Sequence, residues 1–311
     1  MTNVSRFDRN APNHSTMVWL QSPQPLLFTG RNTARIATTV AVVLGVGCSL
    51  ALSRYAGAGD PASSLPLAGE AAERFLRTAR VVQLKSFKTR GVTLPRKATL
   101  SDDQRTLNAV FKDIDTYNLK ATLAGGEVVF HFRDSYRHEI AAYELDKLLG
   151  LGIVPPCVQR RIRGSDGALC LWVEDTMTEW ERLGQGDLPP PDAEDWDRQM
   201  MTIRMFLQLI DDIDFRNVSN LLVDRDFKIY KIDSSRAFFS TPELRNAAEL
   251  TRFSRSAIEA LRSLKDDDLY EALKEWLVND QIKGLLARRD RIIQLADARV
   301  AALGEQQVLY P

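Results

Sequence analysis

Apolar residues change their spacing twice along this chain of 311 residues. A run of about 17 uncharged residues comes first, at 36–52, and as a helix it would span roughly 26 Å. Between about residues 80 and 173, short apolar runs are broken by turn residues, a pattern typical of strands. After three prolines at 189–191, apolar residues recur at helical spacing. The pattern therefore predicts a membrane-length segment, then a strand-rich region, then a helical region.

The uncharged run divides the N-terminal part of the chain into three segments. We predict a leader over 1–35, a transmembrane anchor or signal segment over 36–53, and a flexible linker over 54–75. The linker assignment rests on a stretch rich in Gly, Ala, Pro and Ser that has no periodicity. The remaining chain is predicted to form two lobes, over 76–178 and 179–311.

The charges around the uncharged run predict its orientation. Arg31 and Arg35 precede the run and only Arg54 follows it closely, so the positive-inside rule places the N-terminus inside and the rest of the chain outside. Residues 56–58, Ala-Gly-Ala, have the small-x-small form of a signal-peptidase site, so cleavage competes with permanent anchoring. We expect a single-pass membrane protein with an extracytoplasmic domain, which would be periplasmic in a Gram-negative bacterium.

The first predicted lobe consists of strands around one helix. Asp134 or Ser135 is placed to cap this helix, residues 140–149 supply an apolar face, and Gly150 ends it. Turn residues separate the apolar runs on either side. The predicted strands are 79–84, 91–100, 107–112, 127–132, 157–162 and 168–173.

The second predicted lobe is mainly helical. Its one hairpin joins NLLVD to KIYKID, on either side of Arg225 and Asp226. Strands followed by helices indicate the α+β class and not an alternating parallel sheet. The predicted helices are 196–211, 244–264, 267–278 and 281–303.

Composition excludes some functions. Lys plus Arg and Asp plus Glu are both 41, so the net charge is zero and a nucleic-acid partner is not expected. The three cysteines form no CxxC or Cys/His cluster, so no zinc site is predicted. A hairpin that pairs Gly164 with Gly167 would put Cys157 about four residues out of register with Cys170, which disfavours a disulfide.

Four polar residues stand where short motifs end or begin. Lys112 ends the apolar run AVFK, and Glu139 lies in the first turns of the predicted helix. Asn220 begins NLLVD, and Asp233 ends KIYKID 13 positions later. Each has an ordinary alternative: a solvated lysine, a glutamate that favours the helix dipole, a capping amide and a turn-forming aspartate.

Three ordered segments carry a family resemblance: AVFK, YRHEIAAYELDKLLGLGIVPP and NLLVDRDFKIYKIDSSRAF. They resemble bacterial members of the HipA-like and secretory-pathway kinase group, which includes the Golgi casein kinase and four-jointed families. That group is distantly related to phosphatidylinositol kinases. The resemblance covers about 220 residues and implies a two-lobed protein-kinase-like fold with ATP and Mg²⁺ as cofactors.

The resemblance also implies a role for each motif residue. Lys112 would contact the nucleotide phosphates and pair with Glu139. Asp233 would ligate the magnesium, with Asn220 as the second metal ligand, and both offer the oxygen donors that this hard cation binds.

Two further positions would bind nucleotide by analogy with kinases. Gly91 would form the phosphate-covering turn between the first two strands, where a missing side chain lets backbone amides approach an anion. An ordinary hairpin glycine is the alternative at that position. Residues 172–175, which include Glu174, would form the hinge where backbone groups bind adenine.

The chain departs from the family pattern at the catalytic base. The resembled families place an aspartate five residues before the metal-binding asparagine, and here that position is Phe215. Asp214 comes immediately before it, as if one residue were inserted. A bulge that lets Asp214 reach an acceptor hydroxyl is one interpretation, and a pseudokinase without a base is the other. Asp212 is a further candidate; we favour Asp214.

These observations predict a membrane-tethered phosphotransferase. It would move the γ-phosphoryl group of ATP to a hydroxyl of a protein, glycan or lipid acceptor. The alternatives are a pseudokinase that binds nucleotide without turnover, and an envelope docking scaffold that has no nucleotide affinity.

Overall fold

The described part of the chain combines antiparallel strands with helices. The structure is a computed structural model, and it describes residues 64–87, 95–123, 126, 128–185 and 188–311. The strands are β1 (Arg80–Ser86), β2 (Arg96–Ser101), β3 (Thr106–Lys112), β4 (Asp115–Thr122), β5 (Val128–Ser135), β6 (Cys157–Ile162), β7 (Ser165–Leu171), β8 (Met177–Thr178), β9 (Leu221–Val223), β10 (Ile229–Lys231), β11 (Phe253–Ser254) and β12 (Leu309–Tyr310). The helices are α1 (Gly69–Thr78), α2 (Tyr136–Leu149), α3 (Glu179–Gly184), α4 (Ala193–Leu209), α5 (Arg255–Ser263), α6 (Asp266–Leu273), α7 (Asn279–Leu303) and α8 (Glu305–Val308).

The N-terminal half is built on a five-stranded antiparallel sheet in the order β1-β2-β3-β7-β6. Helix α1 packs on one face of this sheet through Ala72, Phe75 and Leu76, which have the i, i+3, i+4 spacing of a helix face. The helix begins at Gly69, inside the stretch 54–75 that composition predicts as a linker. Ala72 and Phe75, with Leu76 just beyond the stretch, therefore anchor its C-terminal end on the sheet.

A separate hairpin of β4 and β5 lies between β3 and α2. The sequence pattern predicted β5 but not β4. Almost every residue of β4 is exposed, so the strand lacks the alternation of buried and exposed positions that identifies strands. The hairpin connects the strand that ends at Lys112 to the helix that carries Glu139.

Helix α2 has the predicted boundaries. The Ser135 hydroxyl accepts a hydrogen bond from the backbone N–H of Arg137, as an N-cap does. Gly150 ends the helix at φ 63°, and its N–H donates to the carbonyls of Asp146 and Lys147. Most residues of α2 are buried, so both the sheet and the helical half hold it in place.

The helical half contains α4 to α7 around a second, larger apolar cluster. The predicted helix over 244–264 is wrong. Residues 247–249 form a 3-10 turn, β11 follows and pairs with β12 at the other end of this half, and only Arg255–Ser263 is α-helical. Ser254 caps α5 through its hydroxyl, so the helix begins at Arg255, 11 residues after its predicted start at 244.

Cys157 and Cys170 form a disulfide between β6 and β7, so the predicted register of this hairpin is wrong. Ile162 pairs with Ser165, which places Cys157 directly opposite Cys170. The turn consists of Arg163 and Gly164 alone, with φ values of 51° and 89°. Positive φ at both positions is what a two-residue type I′ turn requires.

The predicted transmembrane segment at 36–53 lies outside the described residues. Among the residues that are described, no helix combines the length and the apolar character needed to cross a bilayer.

Candidate active site

Lys112 lies at the centre of a cluster of charged residues. Its Nζ donates to Glu139 Oε1 at 2.6 Å and to Asp233 Oδ1 at 2.8 Å. Glu139 uses its second oxygen, Oε2, to accept the backbone N–H of Ser234 at 3.1 Å. Three residues predicted from separate motifs, 121 positions apart at the extremes, therefore meet in one place.

The electrostatic environment keeps this cluster ionised. Burial opposes the charged form of Lys112, but the carboxylates of Asp233 and Glu139 outweigh it and raise the pKa of the ammonium group. The Lys112 charge lowers the pKa of Asp233 to about 2, against the opposing effect of burial. The Asp233 side chain is 36% exposed and that of Lys112 is 12% exposed, so the cluster opens to solvent on the Asp233 side.

A glycine sets the position of the Lys112 backbone. A Cβ atom at Gly167 on β7 would lie 2.4 Å from the Lys112 carbonyl oxygen and 2.7 Å from the Phe111 ring. Neither contact is tolerable without movement of the backbone. The close approach of β7 to the end of β3 therefore requires glycine at 167.

Helix α2 is bonded directly to the loop that carries Asp233. The backbone N–H of Ser135 donates to the Ser235 carbonyl at 3.0 Å, and His138 Nδ1 lies 2.9 Å from the same oxygen. His138 Nε2 lies 3.1 Å from Gln281 Nε2, so the network assigns a neutral imidazole with its proton on Nδ1. Burial lowers the pKa of His138 to about 4. His138 is thus a positioning group for the loop.

Asn220 lies beside Asp233 through the backbone. The Ile232 N–H donates to the Asn220 carbonyl at 2.9 Å, which brings the start of β9 next to the end of β10. The Asn220 side-chain oxygen accepts from Asn217 Nδ2 at 3.3 Å. Both hydrogen bonds that the structure gives the Asp233 carboxylate go to Oδ1. Asp233 Oδ2 is the oxygen that neither of these bonds uses.

This donor set fits magnesium better than it fits a metal held by protein alone. In the described part of the chain, no group of three or more His, Cys, Asp or Glu side chains could hold a metal ion. Mg²⁺ is commonly bound by one or two carboxylates together with substrate phosphates and water. One carboxylate from Asp233 and one amide oxygen from Asn220 match that mode of binding.

Asp214 lies in a turn together with Phe215, the residue that is extra relative to the resembled families. The Phe215 N–H donates to the Asp212 carbonyl, and the Asn217 N–H donates to the Asp214 carbonyl at 2.8 Å. The Phe215 side chain is partly buried against the large apolar cluster. The insertion therefore directs an aromatic ring into the core and leaves Asp214 half-buried beside Arg236, whose Nη1 lies 3.8 Å from Asp214 Oδ2.

The surroundings of Asp214 make it more basic than an ordinary aspartate. Burial is the largest cause of its raised pKa, and the negative charges of Asp212 and Asp233 act in the same direction. Arg236 and Lys231 oppose the shift. A carboxylate with a raised pKa is suited to accept a proton.

Sequence reasoning missed two basic residues near the site. Arg236 bonds the buried Asp134 through Nε at 2.8 Å, and Lys231 pairs with Asp212 at 3.0 Å. Lys231 belongs to the quoted KIYKID motif. Alternation along β10 would have placed it on the same face as the buried Ile229, and this was the available signal, although nothing in the sequence identifies its acceptors.

The two remaining predicted residues differ in outcome. Glu174 lies between β7 and β8, and its Oε1 accepts from Asn108 Nδ2 at 2.9 Å. Its backbone N–H donates to the Ser64 carbonyl at 3.1 Å, so that group is already bonded within the chain. Gly91 lies outside the described residues.

Comparison with known proteins identifies the fold. No protein-family profile matches the chain, and no curated protein matches it. Among solved structures, hydra Fam20 with sugar matches with a TM-score of 0.55, covering 76% of this chain and 90% of that one at 16% sequence identity. The chain has a Fam20-like kinase fold.

A second solved structure, the Helicobacter pylori proinflammatory kinase CtkA, gives a TM-score of 0.46 at 10% identity. It covers 73% of this chain and 98% of that one, and at this score the likeness supports no further statement. The Fam20-like fold agrees with the secretory-pathway part of the family resemblance. The relation to HipA-like proteins and to phosphatidylinositol kinases stays a prediction.

Proposed function

We propose that this protein is an ATP- and Mg²⁺-dependent phosphotransferase that acts on a hydroxyl of a protein, glycan or lipid. The observation that carries the proposal is the convergence of Lys112, Glu139 and Asp233 within hydrogen-bond distance. Phosphoryl transfer requires a cation on the phosphates, an acid that holds this cation, and oxygen ligands for magnesium. The cluster supplies all three next to Asn220.

In the proposed reaction, each residue has a defined task. Lys112, held by Glu139, would contact the nucleotide phosphates. Asp233 and Asn220 would hold Mg²⁺, which when bound neutralises charge on the β- and γ-phosphates. Asp214 would accept the proton of the acceptor hydroxyl while that oxygen forms a bond to the γ-phosphorus and the bond to the ADP oxygen breaks.

Nucleotide binding would change the partners of Asp233. Its Oδ1 bonds Lys112 in the structure, and the same carboxylate is the proposed metal ligand. The exposed side of Asp233 gives a cation access without movement of the loop. Lys112 would keep Glu139 as its partner and turn its remaining donors to the phosphates.

The proposed location of the domain is extracytoplasmic, with a membrane tether at 36–53. The Cys157–Cys170 disulfide supports an oxidising compartment. A Fam20-like fold supports a secretory setting. Activity of a C-terminal reporter fusion on the extracytoplasmic side would test the topology.

Phe215 favours a second candidate function, a pseudokinase that binds nucleotide without turnover. It occupies the position where the resembled families have the catalytic base. The raised pKa of Asp214 and its place beside Arg236 favour an active enzyme instead. The two functions share nucleotide affinity and differ only in turnover.

Thermal unfolding of the full-length protein with ATP, with and without MgCl₂, tests the proposal. A ligand at 100 times its Kd stabilises the native state by about 2.7 kcal/mol, so a Mg²⁺-dependent rise in Tm is expected for the wild type. Lys112→Met should abolish that rise and reduce ADP release by at least about 10³-fold. Lys85→Met, at an exposed position of β1, is the matched control.

Two outcomes would contradict the proposal. An unchanged Tm of the wild type in Mg²⁺ and ATP would favour the docking scaffold. An equal rise in the wild type and in Lys112→Met would place the nucleotide elsewhere. A rise without ADP release would favour the pseudokinase, or an enzyme whose acceptor is missing from the assay.

A further inference from the structure

Lys231 is a fully buried lysine. Its side chain is 1% exposed, and an ammonium group in that position requires acceptors in place of water. Its Nζ donates to the Ile232 carbonyl at 2.6 Å and to the Asp233 carbonyl at 2.9 Å. Asp212 Oδ2 lies 3.0 Å from Nζ and forms an ion pair with it, without hydrogen-bond geometry.

The two carbonyl acceptors flank the α-carbon of Asp233. That residue has φ of 60°, a left-handed conformation that costs a non-glycine residue stability unless its surroundings hold it. Lys231 binds the carbonyl oxygens on both sides of the α-carbon. In this conformation the Asp233 side chain accepts a hydrogen bond from Lys112 at Oδ1.

The ion pair with Asp212 connects Lys231 to the loop that carries Asp214. Asp212 Oδ2 faces Lys231, and Asp212 Oδ1 accepts the backbone N–H of Asp214 at 2.8 Å. Asp212 is also 1% exposed. One buried ion pair therefore joins the backbone of Asp214 to the backbone of Asp233.

We propose that Lys231 and Asp212 form a positioning pair that sets the distance between the catalytic base Asp214 and the metal ligand Asp233. This inference rests on the proposed function. In phosphoryl transfer, the acceptor oxygen and the metal-bound phosphate must be aligned, and a misplacement of about 1 Å costs roughly 10²-fold in rate. Neither member of the pair touches a reactant.

Stability alone is a weak reason for this pair. A buried ion pair frequently contributes no more to stability than apolar residues of similar volume. A better reason for the pair is its position, because Asp212 is bonded to the backbone of Asp214 and Lys231 is bonded to the backbone of Asp233.

The pair also acts on Asp214 through charge. The groups that affect the Asp214 carboxylate are Asp212, Asp233, Arg236 and Lys231. Removing the Asp212 charge would make Asp214 more acidic, whereas removing the Lys231 charge would make it less acidic. The two neutral variants should therefore shift the acidic limb of the pH profile of kcat/KM in opposite directions, which general loosening of the structure would not do.

Hydrogen exchange in the full-length, nucleotide-free protein tests the mechanical link. Lys231→Met should accelerate exchange in both loops, at 212–217 and at 232–236, by at least about tenfold. Asp212→Asn should do the same to a smaller extent. The matched controls are Lys228→Met and Asp226→Asn, at exposed positions of the β9–β10 hairpin. Acceleration of only one loop, or equal effects in the controls, would overturn the inference without reference to nucleotide.

Turnover of ATP with MgCl₂ then tests the catalytic consequence. Lys231→Met should lower kcat by roughly 10²-fold while the far-UV circular dichroism of the apo protein stays native. Because the variant leaves the buried Asp212 carboxylate unpaired, its Tm should fall, and kcat is measured well below that Tm. The acidic limb should move to higher pH in Lys231→Met and to lower pH in Asp212→Asn. Full turnover with both loops loosened would refute the positioning role but leave the proposed function intact. Wild-type protein without any Mg²⁺–ATP effect would refute the proposed function, and the exchange result would stand separately.

Discussion

Two lysine–carboxylate sites contact the loop after β10, and they differ in their access to solvent. Lys112 and Asp233 are 12% and 36% exposed, whereas Lys231 and Asp212 are 1% exposed each. An open ion pair can exchange a partner for a ligand, because water and the ligand compete for the same atoms. A closed pair whose partners all belong to the chain holds backbone atoms in place and has no partner that a ligand could replace. Exposure therefore separates the residues proposed to bind nucleotide and Mg²⁺ from the residues proposed to position the loops.

The open site also shows a balance of charge that would change on binding. Lys112 faces two carboxylates, so the cluster has one excess negative charge before a ligand arrives. Mg²⁺ would compensate that excess charge and the nucleotide phosphates would engage Lys112. The closed site has equal charges and has no such vacancy for a cation.

Among the variants that test this difference between the two sites, Asp214→Asn at the open site should have the largest effect. Removing the proposed base should lower ADP release by about 10²- to 10⁴-fold, while Mg²⁺-dependent nucleotide binding persists. Since burial, Asp212 and Asp233 raise the pKa of Asp214, the charged form destabilises the fold at neutral pH. The variant should therefore have a Tm at pH 7 that is higher by a few degrees, roughly 2–4 °C per kcal/mol.

The pH dependence of the Tm gain in Asp214→Asn follows from the direction of the Asp214 pKa shift. A raised pKa means that the wild type loses stability as the pH rises through it. The difference in Tm should shrink at acidic pH, where Asp214 is protonated in both the folded and the unfolded state. Asp226→Asn, at an exposed position, is the control, and loss of nucleotide binding in Asp214→Asn would contradict the assignment.

A second variant, His138→Gln, probes the buried contact between α2 and the loop after β10. Burial lowers the pKa of His138 to about 4, so its contribution to stability is present above the unfolded value of 6.5 and is lost as the pH falls toward 4. That loss corresponds to about 3 kcal/mol. Denaturant unfolding at several pH values should show a shallower decline for the variant than for the wild type. His131→Gln, at an exposed position of β5, is the matched control.

The smallest expected effect is that of Gly167→Ala, which moves the open site without changing its charges. The added methyl group meets the Lys112 carbonyl oxygen and the Phe111 ring. We expect a loss of about 1–3 kcal/mol in unfolding free energy and weaker nucleotide binding. Gly184→Ala places the same methyl group where no atom lies within 4 Å. Equal stability of the two variants would argue against the close approach.

The residues of the open site were easier to predict from the sequence than the residues of the closed site. Lys112, Glu139 and Asp233 lie at the ends or beginnings of motifs, and the resemblance supplied their order. Their convergence is now described, whereas their catalytic roles stay predictions. Lys231 went unrecognised because burial of a lysine depends on acceptors from distant loops, and no local pattern records such acceptors.

The errors in the fold have similar physical causes. Strand β4 has no buried face, so it lacks periodicity. Cys157 and Cys170 pair because Arg163 adopts positive φ, which a sequence does not indicate for arginine. The helix predicted over 244–264 fails near Asn246, whose N–H is taken by the Gln208 side chain at 2.8 Å. Tertiary contacts decided each of these cases.

The hydrogen bond between Ser64 and Glu174 has a mechanical consequence. The Ser64 carbonyl accepts the N–H of Glu174 in the connection between β7 and β8. A pulling force applied through the chain before Ser64 would therefore load this connection before it loads helix α1. In single-molecule extension from the N-terminus, rupture of the Ser64–Glu174 contact should be the first event.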